Sequence, residues 1–328
     1  MISAIAFLLL IGAGIAAYGR WSLHAASEWD LSLWWFVAAA PLVYMLVPAI
    51  FAGAYFALTE LFGVQRPAHV RLGAGARVRL FWNETVSLAL SAPMMIMYRV
   101  LMRDPAPRPA TLPVILVHGV LCNAGVWARF RRRLRKRYEG PVYALTYGPP
   151  LLSIETFARQ LAHTIDTALA ATGACDVVLV GHSMGGLVAR TYIRRFGGAR
   201  VRRLITLGTP HHGSMHAWFF PGACLGQMRP GCRWLAELNR DTVGADGVPI
   251  VSLWSWHDSM VAPQTSCRLE WAENIPVVGV GHNALLGDPG VVAYVVTEIE
   301  RARHDTRRQQ GIVATASQRA AAPAMGPA

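Results

Sequence analysis

The stretch VLVGHSMGGLVAR, residues 178–190, places Ser183 between two glycines where an apolar run meets a helix-like run. A strand that ends in a G-x-S-x-G turn and leads into a helix is the pattern of a nucleophile elbow. Side chains at positions 181 and 185 would collide with the neighbouring strand and helix, so both positions need glycine. The strained turn lifts the serine hydroxyl out of the sheet. We therefore predict Ser183 as a catalytic nucleophile; the alternative is an ordinary glycine-rich turn.

Short apolar runs alternate with helix-like stretches from Pro113 onward. Near-continuous apolarity is typical of strands that are buried on both faces, and strand–helix alternation predicts a parallel sheet with right-handed crossovers. The sequence therefore predicts an α/β fold with a mostly parallel central sheet. The predicted strands span 113–118, 142–147, 177–181, 203–208, 249–254 and 276–280.

A serine nucleophile needs a base and an orienting acid, which follow an elbow of this type in the order Ser, Asp, His. Asp258 comes just after the fifth predicted strand, and His282 follows the sixth. We therefore predict Ser183, Asp258 and His282 as a catalytic triad. Position in the chain ranks the other candidates lower: as acids Asp241, Asp246, Glu270 and Glu273, and as bases His257 and His212 among the eleven histidines.

An acyl intermediate also needs N–H donors for its oxyanion. The residue after the nucleophile, Met184, is predicted to supply one backbone N–H. The loop after the first predicted strand reads HGVLCN, residues 118–123, and its Gly119 lets the backbone turn tightly. We predict the N–H of Val120 as the second donor, with Leu121 as the alternative.

Five stretches together resemble the bacterial lipase and esterase branch of the α/β-hydrolase superfamily. They are LVHGVLCNAGVW, LVGHSMGGLVAR, LGTPHHGS, LWSWHDSMVAP and VGHNALLGDPG, between residue 114 and about residue 290. The resemblance implies an α/β-hydrolase fold and the same triad and oxyanion donors. It also implies hydrolysis of carboxylic esters, lipid or acyl esters in particular, through an acyl-enzyme on Ser183.

The resemblance also bears on metals and disulfides. No acidic residue directly follows His282 of the kind that helps bind calcium in some relatives, so we predict no metal and no cofactor. A disulfide braces the acid loop in some relatives, which implies that Cys267 pairs with Cys224 or Cys232. A cytoplasmic domain would keep these thiols reduced.

Residues 214–247 form the longest insertion between predicted strands, and they are apolar without clear periodicity. We predict a cap over the site, either a lid that opens onto lipid or a structural cap with its own small core. Its aromatic residues Trp218, Phe219 and Phe220, together with Leu121, are predicted to contact the substrate.

Residues 1–61 are predicted to form a membrane hairpin of two transmembrane helices, because residues 1–19 and 31–59 carry no charged side chain. A signal peptide is the alternative for the first stretch. Arginines follow the second stretch, so the positive-inside rule favours a multi-pass protein of the inner cell membrane with its catalytic domain in the cytoplasm rather than the periplasm.

The remaining segments complete the predicted domain organisation. Residues 62–112 are predicted to be a connector, with a helix at 87–102 that either lies at the membrane interface or packs on the enzyme, and a proline-rich linker. The catalytic domain is predicted at 113–303. The tail at 304–328 is predicted to be disordered.

The formal net charge of +12 suggests an anionic binding partner, either nucleic acid or anionic lipid. No zinc-finger spacing or RNA-binding motif accompanies the charge, so we expect a membrane rather than nucleic acid as partner. The run RRRLRKR, 131–137, is predicted to be the solvated face of a helix that packs through Phe130, Leu134 and Tyr138. Two other functions stay open: an acyltransferase or thioesterase with the same triad, and a catalytically silent membrane-bound binding scaffold. The sequence predicts no oligomeric state.

Overall fold

The computed structural model of the protein describes residues 2–240 and 247–321. Its centre is a six-stranded sheet with the order β2-β1-β3-β4-β5-β6, in which every neighbouring pair is parallel. This confirms the predicted α/β fold with a parallel central sheet. The strands are β1 (Val114–Val117), β2 (Val142–Ala144), β3 (Val177–His182), β4 (Val201–Leu207), β5 (Ile250–Ser255) and β6 (Glu273–Val277).

Helices cover both faces of the sheet and the amino-terminal third of the chain. They are α1 (Ile2–Glu28), α2 (Leu33–Phe62), α3 (Ala74–Ile96), α4 (Tyr98–Leu101), α5 (Ala128–Leu134), α6 (Ile154–Thr172), α7 (Met184–Phe196), α8 (Ala223–Gln227), α9 (Arg233–Arg240) and α10 (Pro289–Ala321).

Alternation along the central strands builds two apolar layers. Successive side chains of a strand point to opposite faces, so Leu179 packs with residues of α6 and α7 while its neighbour Val180 packs with residues of α5 and α10. Every residue of β1 and β3 is buried. The carboxyl ends of these strands thereby form a rigid edge for the loops that follow them.

The sixth strand lies at Glu273–Val277, earlier than the predicted 276–280. Its register with β5 runs from Val251 opposite Glu273 to Ser255 opposite Val277. The strand lies at the edge of the sheet, where its residues are partly exposed, so apolarity alone misplaced it. His282 consequently follows a longer loop than the sequence indicated.

Helix α3 replaces the predicted helix at 87–102 and begins much earlier, at Ala74. It packs on the catalytic part of the chain: Met95 joins the core, and its carbonyl accepts a hydrogen bond from Asn123 Nδ2 at 3.0 Å. Three polar residues on its buried face, Glu84, Thr85 and Ser87, hid its first half from an apolar pattern. Of the two alternatives for a helix in this region, at the membrane interface or packed on the enzyme, α3 takes the second at its carboxyl end.

In the part of the chain that the structure describes, one helix is long and apolar enough to cross a membrane by length and composition, namely α2. Most of its apolar window is exposed, and it contains Pro41 and Pro48. A helix of this kind near the amino terminus fits a membrane anchor or a signal sequence. The spanning hairpin of α1 and α2 stays a prediction.

The insertion between β4 and β5 contains a 3-10 helix (Met215–Trp218), α8 and α9. Residues 241–246, with the lower-ranked acids Asp241 and Asp246, lie outside the described residues.

The last helix, α10, continues to Ala321, whereas the sequence predicted disorder from residue 304. Alanine, arginine and glutamine, which recur between 304 and 321, are strong helix formers and explain the difference. Residues 322–328 lie outside the described residues.

Phe130 and Leu134 of α5 and Tyr138, four residues past its end, are all buried, as their spacing predicts. Arg131, which was expected on the solvated face, is also buried and donates hydrogen bonds to the carbonyls of Arg103, at 2.9 Å, and Leu101. One carbonyl belongs to the last residue of α4 and the other lies two residues past it, so Arg131 ties α5 to the end of α4 and to the start of the segment that leads to β1. The prediction of a solvated face for the whole charged run was therefore wrong at Arg131, because this long-range contact leaves no local pattern.

Candidate active site

The elbow around Ser183 has the strained backbone that the motif predicts. Strand β3 ends at His182, helix α7 begins at Met184, and Ser183 between them has φ +56° and ψ −129°. Few residues other than glycine adopt a positive φ without support from their surroundings. The Ser183 N–H donates to the carbonyl of Leu207 at 2.9 Å, which ties the turn to β4.

Glycine on either side of Ser183 is explained by close backbone contacts. A Cβ at Gly181 would lie 2.6 Å from the Cα of Gly186, and one at Gly185 would overlap the carbonyl oxygen of Val117. Helix α7 therefore starts directly against β1 and β3. Only this close approach leaves Ser183 at the tip of the turn.

Asp258 and His282 form a buried pair. His282 Nδ1 lies 2.8 Å from Asp258 Oδ2, and Asp258 Oδ1 accepts the backbone N–H groups of Met260 and Val261, each at 2.8 Å. Burial lowers the pKa of His282, but Asp258 and then Glu84 raise it, so that the net shift is upward. The structure thus brings together the two residues that the sequence predicted as acid and base.

His182 places the imidazole of His282 beside the elbow. The two rings lie 4.6 Å apart between centroids, and His182 Nε2 lies 3.1 Å from the backbone carbonyl of His282. In the described part of the chain no hydrogen bond joins the Ser183 hydroxyl to His282. A nucleophile and its base often approach to hydrogen-bond distance only when substrate binds.

Gly208, directly after β4, makes room for the acid–base pair. Its φ is +56°, and a Cβ there would lie 3.0 Å from Asp258 Oδ2 and 3.2 Å from His282 Nδ1. The sequence analysis did not assign this residue. Its position directly after a central strand, at the edge where the other site residues lie, could have identified Gly208 from the sequence.

The loop that follows β1 runs past the elbow. A Cβ at Gly119 would lie 3.0 Å from Ser183 Cβ. No backbone carbonyl in the described residues accepts the N–H of Val120, and Met184, as the first residue of α7, has no intrahelical acceptor for its own N–H. In the described residues the N–H of the alternative donor, Leu121, also has no backbone acceptor, and Leu121 has φ +57°.

A buried histidine supports this loop from below. The His118 ring stacks on Tyr147 at 3.9 Å between centroids, and the Tyr147 hydroxyl donates to the His118 carbonyl. Burial lowers the pKa of His118 to about 4. The ring is therefore neutral near pH 7, and its role is to hold the backbone of the loop.

A cavity of about 300 Å³ opens beside the oxyanion loop and the start of α7. Leu121 lies in its wall, as a substrate-contacting residue would, together with Tyr147, Leu151, Phe157 and Met184. This cavity adjoins one of the two predicted oxyanion donors. Its lining combines these mainly apolar side chains with the polar side chains of His118, Thr146 and Gln160.

The three aromatic residues predicted to contact substrate lie elsewhere on the cap. Trp218, Phe219 and Phe220 are exposed and do not line the cavity. Phe219 instead packs near Phe62 of α2, with ring centroids 6.5 Å apart, and the guanidinium of Arg229 lies 4.6 Å from the Trp218 ring. The cap surface and the end of α2 thus form one exposed aromatic area.

The rings of the two alternative bases, His212 and His257, make their hydrogen bonds to groups other than Asp258. His212 Nδ1 lies 3.2 Å from Asn239 Nδ2, and His257 Nδ1 accepts the backbone N–H of Gly279 at 3.2 Å. Burial and then the neighbouring Arg66 lower the pKa of His257 to about 4. Neither ring is placed to serve the predicted acid.

All five cysteines are free thiols, so the disulfide implied by the resemblance is not formed. Cys267 packs with Trp254 and Val261, whereas Cys224 belongs to the apolar cluster beneath α6 and α7. Within the described ranges there is no group of three or more histidine, cysteine or acidic residues that could hold a metal ion.

Two buried residues of the amino-terminal helices also contact the loops that carry the acid and the base. They are Thr59 of α2 and Glu84 of α3. Neither residue was predicted from the sequence, because no motif marks a lone polar residue in a helix that contacts a distant loop.

The chain belongs to the alpha/beta hydrolase family, whose model matches residues 114–325. A segment of 61 residues is 47% identical to a triacylglycerol lipase of Pseudarthrobacter phenanthrenivorans. That match covers 19% of this chain and 19% of the relative, so the chain spans about a fifth of the relative's length.

Two solved structures share the fold. The mature lipase BlEst2 of Bacillus licheniformis aligns with a TM-score of 0.52 at 18% identity, over 60% of this chain and 95% of that one. Lipase B of Aspergillus fumigatus aligns with a TM-score of 0.55 at 16% identity, over 77% and 80%. These alignments confirm the α/β-hydrolase fold.

Proposed function

We propose that the protein is a serine hydrolase that cleaves carboxylic esters, with lipid or acyl esters as substrates. The observation that carries this proposal is the buried Asp258–His282 pair, joined at 2.8 Å, whose His282 ring lies 4.6 Å from the ring of His182, the residue before Ser183 in the strained elbow. The triacylglycerol lipase that shares a 61-residue segment with this chain supports the same reaction class.

The reaction follows from these positions. Ser183 Oγ attacks the ester carbonyl carbon while His282 Nε2 takes its proton, and Asp258 stabilises the imidazolium. The N–H groups of Val120 and Met184 donate to the oxyanion, each contributing about 3 kcal/mol to the transition state. The imidazolium then protonates the leaving alkoxide. His282 then deprotonates a water that attacks the acyl carbonyl carbon, and the imidazolium returns the proton to Ser183 Oγ as the acyl–oxygen bond breaks and the acid leaves.

The test is turnover of p-nitrophenyl esters from short to long acyl chains by detergent-purified protein, beside Ser183→Ala. We expect the wild type to hydrolyse them, and the variant to lose about 10⁶-fold in kcat, as removal of a triad serine does. A fluorophosphonate should label the wild type and not the variant. A folded wild type that neither hydrolyses any ester nor reacts with the fluorophosphonate would contradict the proposal and favour a binding scaffold.

We further propose that α1 and α2 attach the protein to the inner membrane as a hairpin, with the catalytic domain in the cytoplasm. The exposed apolar surface of α2 and the neighbouring aromatic residues Trp218, Phe219 and Phe220 support this attachment. A charged, membrane-impermeant fluorophosphonate should label Ser183 only after spheroplasts are lysed. Labelling of intact spheroplasts would place the domain in the periplasm instead.

A further inference from the structure

Helix α3 buries a carboxylate beside the candidate catalytic residues. Glu84 is completely inaccessible to solvent, although it lies far from Asp258 and His282 in sequence. No ion pair in the described part of the chain includes it. A buried charge without a cation is costly unless many hydrogen-bond donors surround it.

Four hydrogen bonds reach this carboxylate from two loops. Glu84 Oε1 accepts from the Ser259 hydroxyl at 2.7 Å, from the Asn283 N–H at 3.0 Å and from Asn283 Nδ2 at 2.9 Å. Glu84 Oε2 accepts the Ala284 N–H at 3.0 Å. One side chain of α3 thus joins the loop after β5 to the loop after β6.

These donors are the immediate neighbours of the acid and the base. Ser259 follows Asp258 directly, and Asn283 follows His282 directly. The Glu84 carboxylate also lies directly against the backbone before His282, since a Cβ at Gly281 would overlap Glu84 Oε2. Any displacement of Glu84 would therefore move the Asp258–His282 pair.

A second fully buried glutamate shows what a structural carboxylate looks like in this protein. Glu298 of α10 has no solvent exposure, yet it pairs with the guanidinium groups of Arg203 and Arg301. Its charge is balanced by cations on the outer side of the sheet. Glu84 has no such partner, and each of its donors comes from the acid loop or the base loop.

We propose that Glu84 is a positioning residue that holds Asp258 and His282 in register for the proposed ester hydrolysis. The inference rests on the proposed function, because it assigns Glu84 a role in that same reaction. It also makes the amino-terminal helices part of the catalytic site rather than only an attachment. Without the α3 carboxylate, the contact between Asp258 and His282 at 2.8 Å remains, but hydrogen bonds such as that from the Gly279 N–H to His257 Nδ1, at 3.2 Å, join the two loops before the acid and the base.

Because Glu84 acts on the pKa of His282, its removal should change the pH dependence of kcat/KM. The charged and titratable groups that face His282 are Asp258 from the acid loop, Glu84 from α3, His182 from β3 and His216 from the cap. Asp258 and Glu84 raise the pKa of His282, against the opposing effect of burial. The base must be neutral to act, so loss of one negative neighbour lowers its pKa and moves the acid limb of kcat/KM to lower pH.

The experiment compares Glu84→Gln with Glu298→Gln in the full-length protein, on the best p-nitrophenyl ester. Glutamine keeps the size of the side chain, but its amide offers one acceptor oxygen where the carboxylate offers two. We expect Glu84→Gln to lower kcat about 10- to 100-fold with little change in KM, as misplacement of reacting groups does. Its acid limb should move to lower pH. Glu298→Gln should lower the Tm while it keeps kcat/KM and the pH profile of the wild type.

Ser259→Ala serves as a second variant if Glu84→Gln does not fold, since it removes one of the four hydrogen bonds and leaves the charge. It should lower kcat by a smaller factor and keep the acid limb in place. Unchanged kcat and an unchanged acid limb in Glu84→Gln would overturn the positioning role, while inactivity of Ser183→Ala would still uphold the hydrolase. Wild-type protein inert to esters and to fluorophosphonate would remove both proposals together.

Discussion

The elbow that carries Ser183 and the loops that carry Asp258 and His282 are held by different kinds of contact. The elbow is fixed by backbone: Gly185 lies directly against Val117, and the Ser183 N–H bonds to Leu207. The acid and base loops are fixed by side chains that arrive from α2 and α3. The first set of contacts lies among neighbouring central strands, whereas the second joins segments 175 to 200 residues apart.

This difference predicts two kinds of mutational response. A change in the elbow pushes one strand or helix against another, so the main loss is in folding stability. A change around the acid and base loops leaves the sheet intact and moves the reacting groups, so the main loss is in turnover. Variants of matched chemistry in the two regions can separate these responses.

The largest stability effect is expected from Gly185→Ala. The new methyl group would meet the carbonyl oxygens of Val117 and His118, which belong to rigid backbone and cannot move aside. Overpacking of this kind costs about 3 kcal/mol in the free energy of unfolding. Denaturant unfolding in detergent, followed by tryptophan fluorescence, measures the loss.

Gly226→Ala is the matched control for that variant. Gly226 lies in the short helix α8, and a Cβ there would meet no atom within 4 Å. We expect a change within about 0.5 kcal/mol. If Gly185→Ala is as stable as Gly226→Ala, helix α7 does not start against β1 as closely as the structure shows.

Much of the site could be predicted because parallel strands bring their carboxyl ends to one edge of the sheet. Ser183, Asp258 and His282 each follow a strand, and that rule together with the order Ser, Asp, His selected His282 among eleven histidines. The tight turn at Ser183 was also visible in the sequence. Close contacts with α7 and β1 require glycine at positions 181 and 185, next to the serine itself. The fold and the three principal residues were therefore accessible from short stretches of sequence.

The parts that could not be predicted depend on tertiary packing. Glu84 and Thr59 are single polar residues in otherwise helix-like stretches, and nothing near them in sequence reveals that they face the acid loop. The burial of Arg131 could not be predicted for the same reason, because the carbonyls that accept its hydrogen bonds lie about 30 residues away in sequence. The predicted position of the edge strand β6 was wrong because exposed residues interrupt its apolar pattern.

Gly208→Ala is expected to have an intermediate effect that tests the acid–base side of the comparison. The added methyl group would press on Asp258 Oδ2 and His282 Nδ1, and position 208 has a φ of +56° that disfavours alanine. We expect a loss of about 1–2 kcal/mol from the backbone conformation and a fall in kcat of about 10- to 100-fold. Ester turnover and fluorophosphonate labelling rates should fall together.

Gly173→Ala shares the backbone cost without the steric one. Gly173 ends α6 with φ +67°, and a Cβ there would meet no atom within 4 Å. The two variants should lose similar stability, and only Gly208→Ala should lose turnover. Equal turnover in both would mean that the Asp258–His282 pair tolerates displacement, which would weaken the assignment of these residues.

The smallest effect is expected from Thr59→Val, which examines whether α2 steadies the acid loop from the side opposite Glu84. The Thr59 hydroxyl is fully buried and donates to the Ser259 carbonyl at 2.6 Å. Thr172→Val is its match, because the buried Thr172 hydroxyl donates to the Ala168 carbonyl at the same distance, within α6. Each variant should lose about 1 kcal/mol of stability, the usual net value of one such hydrogen bond.

Only Thr59→Val should also lower kcat, by about 2- to 5-fold, because Ser259 keeps its hydrogen bond to Glu84 and the acid loop retains most of its support. A fall in kcat of the same size in Thr172→Val would show that turnover follows general stability rather than the position of the loop. Unchanged kcat in Thr59→Val, beside a clear loss in Glu84→Gln, would assign the support of the acid loop to α3 alone. Helix α2 would then attach the protein to the membrane without acting on its chemistry.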